Sequence, residues 1–571
     1  MVERTVVFCF DGLDFAYLDR YRDATPNVSA LRANGIEAPL RSTVPPWTGC
    51  AWPSAYTGVD PGTHGVYGFF TYDGYPDTAE IVTRNDVRAP ALWNYLSTRN
   101  RRSIVINVPV TYPAEPLEGV LLPGYLSPED AQGYPPGIRD ELAEALGEPY
   151  RIYAEEELAE SGQRKLDGYC DLIRHRGRAA VHLIENHEWD LALVQLQKTD
   201  AVFHSFDDDE AFERAYAAAD EVVGTVLEAV DGRPNVVLCS DHGIGPATGY
   251  SIHVNEILRE AGMIETTDED TAPSMGEHKS VLLGFDEGSN GTGRAARFVS
   301  LATSALRRIG IEPTDVYAGA ERLGVAETLL DVLPEDAQRS AVRGVDWERS
   351  AAYCRIGSEM GVRLNVEGRE PAGVVPDSEY ESVRSAVIDL LSSATTPDGE
   401  PAFEFVCPRE EVYAGPYVED ACDVVFLPRG MDHVVSPTLI GQTFVPIEEY
   451  THKRDGVFVA SGPAFASPTD THARTDTHAR TDTHARTDTH ATGGQHPFSD
   501  RERLSLTDLA PIVMATLCCP VPERMEGSVP DGLLVDPAKS AAYEDVEFGT
   551  GTERGSPGEG VERHLEDLGY I

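Results

Sequence analysis

The stretch TVVFCFDG, Thr5–Gly12, is the starting point for the fold. Its first six residues are β-branched, aromatic or otherwise apolar, which indicates a short buried strand, and Asp11 follows the last of them directly. Charged Glu3 and Arg4 precede the strand, and neither a long apolar segment nor a small-residue cleavage site is present, so we do not expect a signal peptide. We interpret Thr5–Phe10 as the first strand of the core.

Similar runs recur at long intervals along the chain. They are Ser103–Val108, Leu191–Gln197, Val236–Ser240 and Gly456–Ala460. Helical patterns lie between several of them, among them Arg174–Asn186 and Glu210–Val230. Strands that alternate with helices predict an α/β fold with a mostly parallel sheet sandwiched by helices. With 571 residues the chain is too long for one small domain.

The pattern changes along the chain and suggests several segments. We expect a catalytic core formed by residues 1–250 and 440–535, and an inserted cap with the remaining core elements in residues 251–439. Between 469 and 492 the hexad TDTHAR is repeated in four copies, the last of which ends in Thr492 instead of arginine. Its histidines suggest metal binding, but alanine is its only apolar residue, so we expect a disordered surface loop. Residues 541–571 form an acidic, glycine-containing tail that we expect to be mobile.

Charge and composition exclude several classes of protein. The formal net charge is −48 and only five residues are lysine, so the surface should repel nucleic acid and anionic membranes. Acidity spread along the chain is typical of a halophilic, cytoplasmic protein in strongly screening salt. The sequence contains no run of about 18 apolar residues, so we do not expect a membrane span. Nine cysteines without a CxxC pair predict neither a disulfide framework nor a cysteine zinc site.

Acidic residues follow three of the predicted strands. Asp11 follows TVVFCF, Asp200 follows LALVQLQKT, and Asp241 follows NVVLCS. Ligands of open α/β sheets bind outside the carboxyl ends of the strands, so these three carboxylates can converge on one crevice. Each alone could be a helix cap or a turn residue, but the three together favour a binding site.

Histidines accompany these aspartates. Asp200 and His204 are four residues apart and share one face of a helix, Asp241 and His242 are adjacent, and His452 precedes the strand GVFVASG. Carboxylates and neutral imidazoles are ligands of zinc, manganese and similar divalent ions. Together with Asp11, these aspartates and histidines suffice to bind two metal ions. We expect the ions to be zinc, with manganese as the alternative.

A threonine lies in the stretch VPPWTGCAWPSAYTG. The prolines fix the approach to Thr48, and the small and apolar residues after it can open a helix. A hydroxyl at that place meets unpaired N–H groups and the positive end of the helix dipole, and a nearby cation would lower its pKa further. Thr48 is therefore a candidate nucleophile with the Gly49 N–H as an oxyanion donor. On spacing alone, a simple N-cap explains Thr48 equally well.

Five stretches carry a family resemblance: FDGLD, PPWTGCAWPSAYTGVDPGTHGVYGF, KTDAVFH, CSDHGIGP and THKRDGVFVASGP. They resemble the successive motifs of the alkaline phosphatase superfamily, in the same order and across roughly residues 1–535. The closest branch is the type I phosphodiesterase/nucleotide pyrophosphatase-like group, which includes archaeal phosphohydrolases. The stretch TGCAW departs from the usual motif, and the asparagine that helps to hold a phosphate oxygen in some relatives is absent, so the substrate class stays open.

The resemblance implies a role for each matched residue. One metal ion would be held by Asp11, Thr48, Asp241 and His242, and the other by Asp200, His204 and His452. Thr48 would be phosphorylated transiently during hydrolysis of a phosphodiester or nucleotide pyrophosphate bond in a small phosphorylated substrate. His253 and His278 are weaker candidates for substrate contact. The oligomeric state is not indicated.

Other functions remain open at this point. A phosphomutase of the superfamily usually uses serine, and a sulfatase needs arginine in a Cys/Ser-x-Pro-x-Arg context that CAWPS lacks. Lipid-linked phosphoethanolamine transferases usually have membrane spans. A non-catalytic metal-binding protein, with the TDTHAR repeat as its working part, is the alternative from a different class. The complete set of candidate ligands favours an enzyme over that alternative.

Overall fold

We describe the fold from a computed structural model of the chain. It describes residues 4–72, 79–154, 162–267, 344–466 and 503–549. The TDTHAR repeat, His278 and residues 550–571 lie outside the described residues. The expectations for these parts of the chain therefore stay predictions.

The bounds of the strands and helices in the described residues are as follows. The strands are β1 (Thr5–Phe10), β2 (Ile36–Arg41), β3 (Phe70–Tyr72), β4 (Ala79–Ile81), β5 (Ser103–Ile106), β6 (Gly119–Leu122), β7 (Leu191–Leu196), β8 (Asn235–Ser240), β9 (Gly243–Ala247), β10 (Tyr250–His253), β11 (Thr266–Thr267), β12 (Gly344–Val345), β13 (Ala352–Tyr353), β14 (Gly361–Leu364), β15 (Phe403–Pro408), β16 (Val424–Pro428), β17 (Val434–Ser436), β18 (Phe444–Pro446), β19 (Glu449–Lys453), β20 (Asp455–Ser461), β21 (Leu504–Ser505), β22 (Val521–Pro522) and β23 (Ser540–Ala541). The α-helices are α1 (Phe15–Arg20), α2 (Pro26–Asn34), α3 (Thr48–Thr57), α4 (Pro61–His64), α5 (Leu92–Ser97), α6 (Ile138–Leu146), α7 (Gln163–Asn186), α8 (Lys198–Ser205), α9 (Asp209–Ala229), α10 (Val254–Glu260), α11 (Tyr380–Ser392) and α12 (Leu509–Thr516).

The main sheet has eight strands in the order β21-β2-β20-β8-β1-β7-β5-β6. The run from β8 to β6 is parallel throughout, whereas β20 runs antiparallel to both β8 and β2. Every residue of β1, β7 and β8 is buried, which explains why these strands are continuous apolar runs instead of alternating ones. The prediction of an α/β fold with a mostly parallel sheet flanked by helices is confirmed.

The helices on the sheet are held by close packing. The longest, α7, begins at Gln163, eleven residues before the predicted start at Arg174. Its first half has an apolar face of its own, with buried residues at the spacing i, i+3, i+4 and i+7: Leu166, Tyr169, Cys170 and Ile173. It packs along α9, where a Cβ atom at Gly177 would lie 2.8 Å from Val222 Cγ2, so the glycine permits the close approach. No helix among the described residues combines the length and apolar composition that a membrane crossing requires.

Two large clusters of buried apolar side chains stabilise the described residues. One surrounds the main sheet, and the other draws its buried members from residues 252–439. Trp47 and Tyr72 pack against the second cluster as well as the first, and therefore connect the two. The division into a core and a cap at residues 250 and 440 remains a prediction.

The described part of the C-terminal segment contacts the core. The hydroxyl of Tyr543 donates to the Pro520 carbonyl at 2.8 Å, and the Gly549 N–H donates to Glu115 Oε2 at 2.5 Å. All nine cysteines lie in the described residues and none forms a disulfide, as the sequence predicted.

Candidate active site

Three aspartates meet at the carboxyl edge of the main sheet. Asp11 follows β1, Asp241 follows β8, and Asp200 lies in the first turn of α8, four residues after the end of β7. The last residue of β1 is in register with the last residues of both β7 and β8, so the chain leaves the three neighbouring strands at one level. All three carboxylates are buried. Their burial follows directly from the parallel strand pairing.

One group of ligand atoms surrounds Asp200. His204 lies one turn further along α8, with Nε2 3.3 Å from Asp200 Oδ2. His452 in β19 places its Nε2 3.6 Å from Asp200 Oδ1 and 3.3 Å from His204 Nε2. The side chain of His204 is 10% exposed, whereas Asp200 and His452 are fully buried, so the group opens towards solvent at His204.

A second group surrounds His242. Its Nε2 lies 3.4 Å from both Asp11 Oδ1 and Asp241 Oδ2. The Thr48 hydroxyl donates to Asp11 Oδ1 at 3.2 Å and lies 3.5 Å from His242 Nε2. The His242 ring also stacks on the His452 ring, with centroids 3.6 Å apart, so the two groups adjoin. Ligand atoms lie within 4.8 Å of one another in each of two sets that share His242: Asp200, His242 and His452; and Asp11, Asp241 and His242.

Backbone carbonyls orient two of the imidazoles. His452 Nδ1 lies 2.8 Å from the Pro46 carbonyl oxygen, and His242 Nδ1 lies 2.9 Å from the Gly243 carbonyl oxygen. A carbonyl can only accept, so Nδ1 carries the hydrogen in both rings and Nε2 faces the aspartates. This is how histidine ligands of metal ions are commonly held, with the second nitrogen donating to an oxygen.

The site holds more negative charge than its own residues neutralise. Burial, and then repulsion by Asp11, raises the pKa of Asp241 well above its usual range, and burial also raises the pKa of Asp11. Although burial alone would lower the pKa of His242, the surrounding carboxylates raise it to about 10. Burial would raise the pKa of Asp200, but His204 and His452 lower it. One buried oxygen, Asp241 Oδ2, makes no hydrogen bond within the described residues.

These observations fit divalent cations. Three carboxylates and three imidazoles are hard and borderline ligands of the kind that zinc and manganese take. A cation would supply the positive charge that the crowded carboxylates lack and would give Asp241 Oδ2 a partner. The donor set therefore suits a metal centre.

The helix α3 begins at Thr48, as the sequence indicated. The N–H groups of Cys50 and Ala51 bond to the Trp47 carbonyl, so the Gly49 N–H remains as the first-turn amide beside the Thr48 hydroxyl. A Cβ atom at Gly49 would lie 2.5 Å from the Gly68 carbonyl oxygen, so a residue with a side chain does not fit there. The close approach of residue 68 explains why a glycine follows Thr48.

Another glycine shapes the site from the β1 side. Gly12 has a φ of +56°, and a Cβ atom there would lie 2.5 Å from Asp200 Oδ1. Only glycine combines this left-handed backbone with room for the carboxylate. Gly12 thus allows the chain after β1 to turn directly beside Asp200.

The two weaker candidates are not brought into this site by the described contacts. His253 ends β10, and its Nδ1 lies 3.0 Å from both the carbonyl oxygen and the hydroxyl of Thr438. These contacts place His253 beside the second apolar cluster. His278 lies outside the described residues. Substrate contact by either histidine remains a prediction.

Sequence reasoning missed two amides at the site. Gln195 Nε2 donates to Asp11 Oδ2 at 2.9 Å, and Asn107 Nδ2 donates to Gln195 Oε1 at 2.6 Å. A signal for the first was present, because Gln195 is the one polar residue of the otherwise apolar strand LALVQL. The asparagine had no such signal, since it lies in the loop after β5.

Comparisons with known proteins give one family match and several similar solved structures. The sequence model of the family "Type I phosphodiesterase / nucleotide pyrophosphatase" matches residues 5–297, just over half of the chain. No curated protein matches the sequence. Among solved structures, the chain is similar to phosphonoacetate hydrolase from Sinorhizobium meliloti 1021 in complex with phosphonoformate, at 14% identity and a TM-score of 0.49, covering 80% of this chain and 90% of that chain. The same enzyme in complex with phosphonoacetate gives 14% identity and a TM-score of 0.48, with the same coverage.

The family match and the site point to one kind of chemistry. The matched residues include the candidate nucleophile Thr48 and the aspartates that follow β1, β7 and β8, whereas His452 lies outside the matched range. The chain belongs to the type I phosphodiesterase/nucleotide pyrophosphatase family, and it is a metal-dependent hydrolase of phosphoric esters.

Proposed function

We propose that the protein hydrolyses phosphodiester or nucleotide pyrophosphate bonds, with Thr48 as the nucleophile and two divalent metal ions. The observation that carries the proposal is the place of the Thr48 hydroxyl. It lies at the first residue of α3, 3.2 Å from Asp11 Oδ1 and 3.5 Å from His242 Nε2, among atoms suited to a metal ion. The N-cap of α3 is Trp47 and Thr48 is the first helical residue, so an N-cap role does not explain the contacts of the Thr48 hydroxyl.

The candidate ligands divide between two ions. One ion would be held by Asp11, Thr48, Asp241 and His242, and the other by Asp200, His204 and His452. We expect zinc, with manganese as the alternative. When bound, such a pair supplies Lewis-acid stabilisation of the charge that develops on the attacking, leaving and non-bridging oxygens.

The residues of the chain have separate tasks in this mechanism. The Thr48 hydroxyl, oriented by its hydrogen bond to Asp11 Oδ1, loses its proton to solvent as its oxygen attacks phosphorus. The bond to Thr48 forms while the bond to the leaving oxygen breaks, and the leaving oxygen takes a proton from solvent. The Gly49 N–H donates to a non-bridging oxygen of the transferring group. Water then breaks the phosphorus–Thr48 bond, which restores the hydroxyl and releases the second product.

The residue before the nucleophile connects the site to the second apolar cluster. Trp47, next to the nucleophile, packs against the cluster formed by residues 252–439, and its ring lies 4.4 Å from the His452 ring. We propose that this segment borders the substrate and selects it. The acidic surface favours a small phosphorylated substrate over a nucleic acid.

The nucleophile is tested with Thr48→Ala and Thr48→Ser in high salt with zinc or manganese. Bis-p-nitrophenyl phosphate, p-nitrophenyl phosphate and p-nitrocatechol sulfate distinguish diester, monoester and sulfate hydrolysis. We expect diester hydrolysis to prevail, Thr48→Ala to lose at least about a thousandfold in kcat, and Thr48→Ser to retain part of the activity because it keeps the hydroxyl. Acid quench and mass spectrometry should find a phosphorylated Thr48 in the wild type.

A matched control separates catalysis from folding. Thr57 is buried in the same helix, and its hydroxyl donates to the Pro53 carbonyl and to no other group among the described residues, so Thr57→Ala should retain the wild-type rate per folded molecule. Comparable diester hydrolysis by wild type and Thr48→Ala would refute the nucleophile. Preference for the sulfate ester would favour the sulfatase alternative.

A further inference from the structure

The two oxygens of Asp11 have different partners. Oδ1 accepts the Thr48 hydroxyl and lies 3.4 Å from His242 Nε2, so it faces the site. Oδ2 accepts from Gln195 Nε2 at 2.9 Å. A carboxylate whose second oxygen is bonded in this way presents a single oxygen to the site. The side chain of Gln195 therefore determines which oxygen that is.

The orientation of the Gln195 amide depends on a third residue. A carboxylate only accepts, so the amide nitrogen of Gln195 faces Asp11 and its oxygen faces Asn107. Asn107 Nδ2 donates to that oxygen at 2.6 Å. Both amide side chains are buried, with exposed fractions of 0% for Gln195 and 1% for Asn107, so water does not compete for these bonds.

The backbone holds both amides in place. Gln195 lies opposite Cys9 in the pairing of β7 with β1, two residues before the level of Asp11 on the same face. Asn107 directly follows β5 and has a φ of +60°, a left-handed conformation that asparagine tolerates better than most residues. Its N–H bonds to the Leu122 carbonyl at 3.0 Å. An uncommon backbone conformation therefore aims its amide at Gln195.

We infer that Gln195 and Asn107 are positioning residues that hold Asp11 as a one-oxygen ligand beside the Thr48 hydroxyl. The inference rests on the proposed function, because it assigns these amides to the metal site formed by Asp11. They touch neither substrate nor the reacting atoms and act through Asp11 alone. Side chains that fix a metal ligand in this way typically change metal affinity about 10- to 100-fold when removed.

The test compares variants that break the chain of hydrogen bonds at different places. Gln195→Met keeps the length of the side chain but cannot donate to Asp11. Asn107→Asp cannot donate to Gln195 Oε1 and competes with Asp11 for the Gln195 amide hydrogens, so it should turn the amide around. Asn107→Gly suits the left-handed backbone and removes only the hydrogen bond. Leu193→Met is the control, since residue 193 is buried and faces the same side of β7 as residue 195.

The readout is metal binding to the metal-free protein, measured by calorimetric titration with zinc and with manganese in high salt. We expect Gln195→Met and Asn107→Asp to weaken the tighter binding step about 10- to 100-fold, Asn107→Gly to weaken it less, and Leu193→Met to leave it unchanged. With saturating metal, kcat for the diester should fall while KM changes little, because substrate contacts remain. Thermal unfolding of the metal-free variants shows whether each one is folded.

Three results are distinguishable. Wild-type metal affinity and kcat in Gln195→Met and Asn107→Asp would overturn the inference and leave the proposed function intact. Weakened metal binding that Leu193→Met shares would also overturn it, since the effect would then come from the strand and not from the amide. A wild-type protein that binds neither ion would refute the proposed function, and this inference with it. If Gln195→Met does not fold, the metal affinities of Asn107→Asp and Asn107→Gly test the inference in its place.

Discussion

Among the described residues, the buried charges around Asp423 and those at the edge of the main sheet differ in how they are neutralised. In the segment after residue 344, Asp423 accepts hydrogen bonds from Arg369 at 2.7 Å, Arg409 at 3.1 Å and the Tyr380 hydroxyl at 2.8 Å. At the edge of the main sheet, Asp11 and Asp241 have only the imidazole of His242 as an ion-pair partner among the described residues.

The pKa values reflect this difference. Although burial alone would raise it, the hydrogen bonds and charge of Arg369 lower the pKa of Asp423 to about 2. Burial and the neighbouring Asp11 raise the pKa of Asp241 well above its usual range. A buried carboxylate with arginine partners is neutralised within the chain, whereas buried carboxylates crowded together without arginine or lysine are neutralised by a proton or by a cation from outside the chain. The same residue type thus serves stability in one region and function in the other.

The largest expected effect is a loss of activity, which should occur when the carboxylates at the edge of the main sheet are changed. Asp241→Asn should lower diester hydrolysis at least about a thousandfold, or about 4 kcal/mol in the barrier, because a ligand of the nucleophile's metal ion is lost. In the presence of a chelator, its free energy of unfolding should equal or exceed that of the wild type, since repulsion with Asp11 is relieved. Kinetics and urea unfolding measure the two quantities.

Asp220→Asn is the control for that experiment. Asp220 is also a buried carboxylate, but it accepts from the Asn27 side chain at 2.8 Å and the Val28 N–H at 2.8 Å, away from the site. It should lose stability and retain the rate per folded molecule. A chelator-treated Asp241→Asn protein that is clearly less stable than the wild type would contradict the contrast between the clusters.

The second prediction concerns the cluster around Asp423. Asp423→Asn should lower the free energy of unfolding by about 3–5 kcal/mol, because the buried Arg409 and the partly buried Arg369 lose the buried carboxylate that they share. Glu221→Gln breaks the exposed pair with Arg174 and should change stability by less than about 1 kcal/mol. Urea unfolding of both variants makes the comparison. If both variants lose the same small amount of unfolding free energy, Asp423 is not the stabilising residue that its contacts indicate.

Metal removal should affect only one of the two clusters. At a free ion concentration of about 100 Kd, binding adds about 2.7 kcal/mol to the free energy of unfolding, so a chelator should lower the melting temperature of the wild type. The chelator-induced shift should persist in Asp423→Asn and be much smaller in Asp241→Asn. Thermal unfolding with and without chelator checks this, and an unchanged wild-type melting temperature would count against bound ions.

The smallest effect concerns a buried histidine outside both clusters. His64 accepts from the Val66 N–H at 3.2 Å and bonds to the Ser54 hydroxyl of α3 at 2.8 Å, and burial lowers its pKa to about 3. The folded state thus binds fewer protons than the unfolded state, in which the pKa is about 6.5. Its stability contribution is complete above pH 6.5 and is lost as the pH falls towards 3.

His64→Gln removes this pH dependence. Between pH 7.5 and 5.5, the stability advantage of the wild type over His64→Gln should shrink by about 1.4 kcal/mol. Urea unfolding at both pH values in constant high salt measures the difference, and other titrating groups cancel in the comparison. A constant advantage would show that His64 titrates at its ordinary pKa.

Much of the fold could be predicted because its strands are local features. The first strand was predicted with its observed bounds, Thr5–Phe10, since a fully buried parallel strand is a continuous apolar run. The place of Asp11, Asp200 and Asp241 followed from the rule that ligands collect at the carboxyl ends of such strands. The start of α3 at Thr48 followed from the prolines before it and the small residues after it.

The rest depended on contacts between distant residues. His452 is oriented by the carbonyl of Pro46, which is 406 positions away in the chain. His253 contacts Thr438, 185 positions away, and no local pattern signals that this histidine is already engaged. Asn107 reaches Gln195 only because β5 and β7 are neighbours in the sheet.

By itself the sequence determined the α/β class, five of the eight strands of the main sheet and the identity of the candidate ligands, because hydrophobic runs and the residues at their ends are local properties. The tertiary structure alone decided which oxygen of Asp11 faces Thr48, which nitrogen of His242 and His452 faces the aspartates, and which buried carboxylates have arginine partners. Hydrogen-bond direction and charge balance are set by groups from separate strands, and these groups meet only when the sheet assembles.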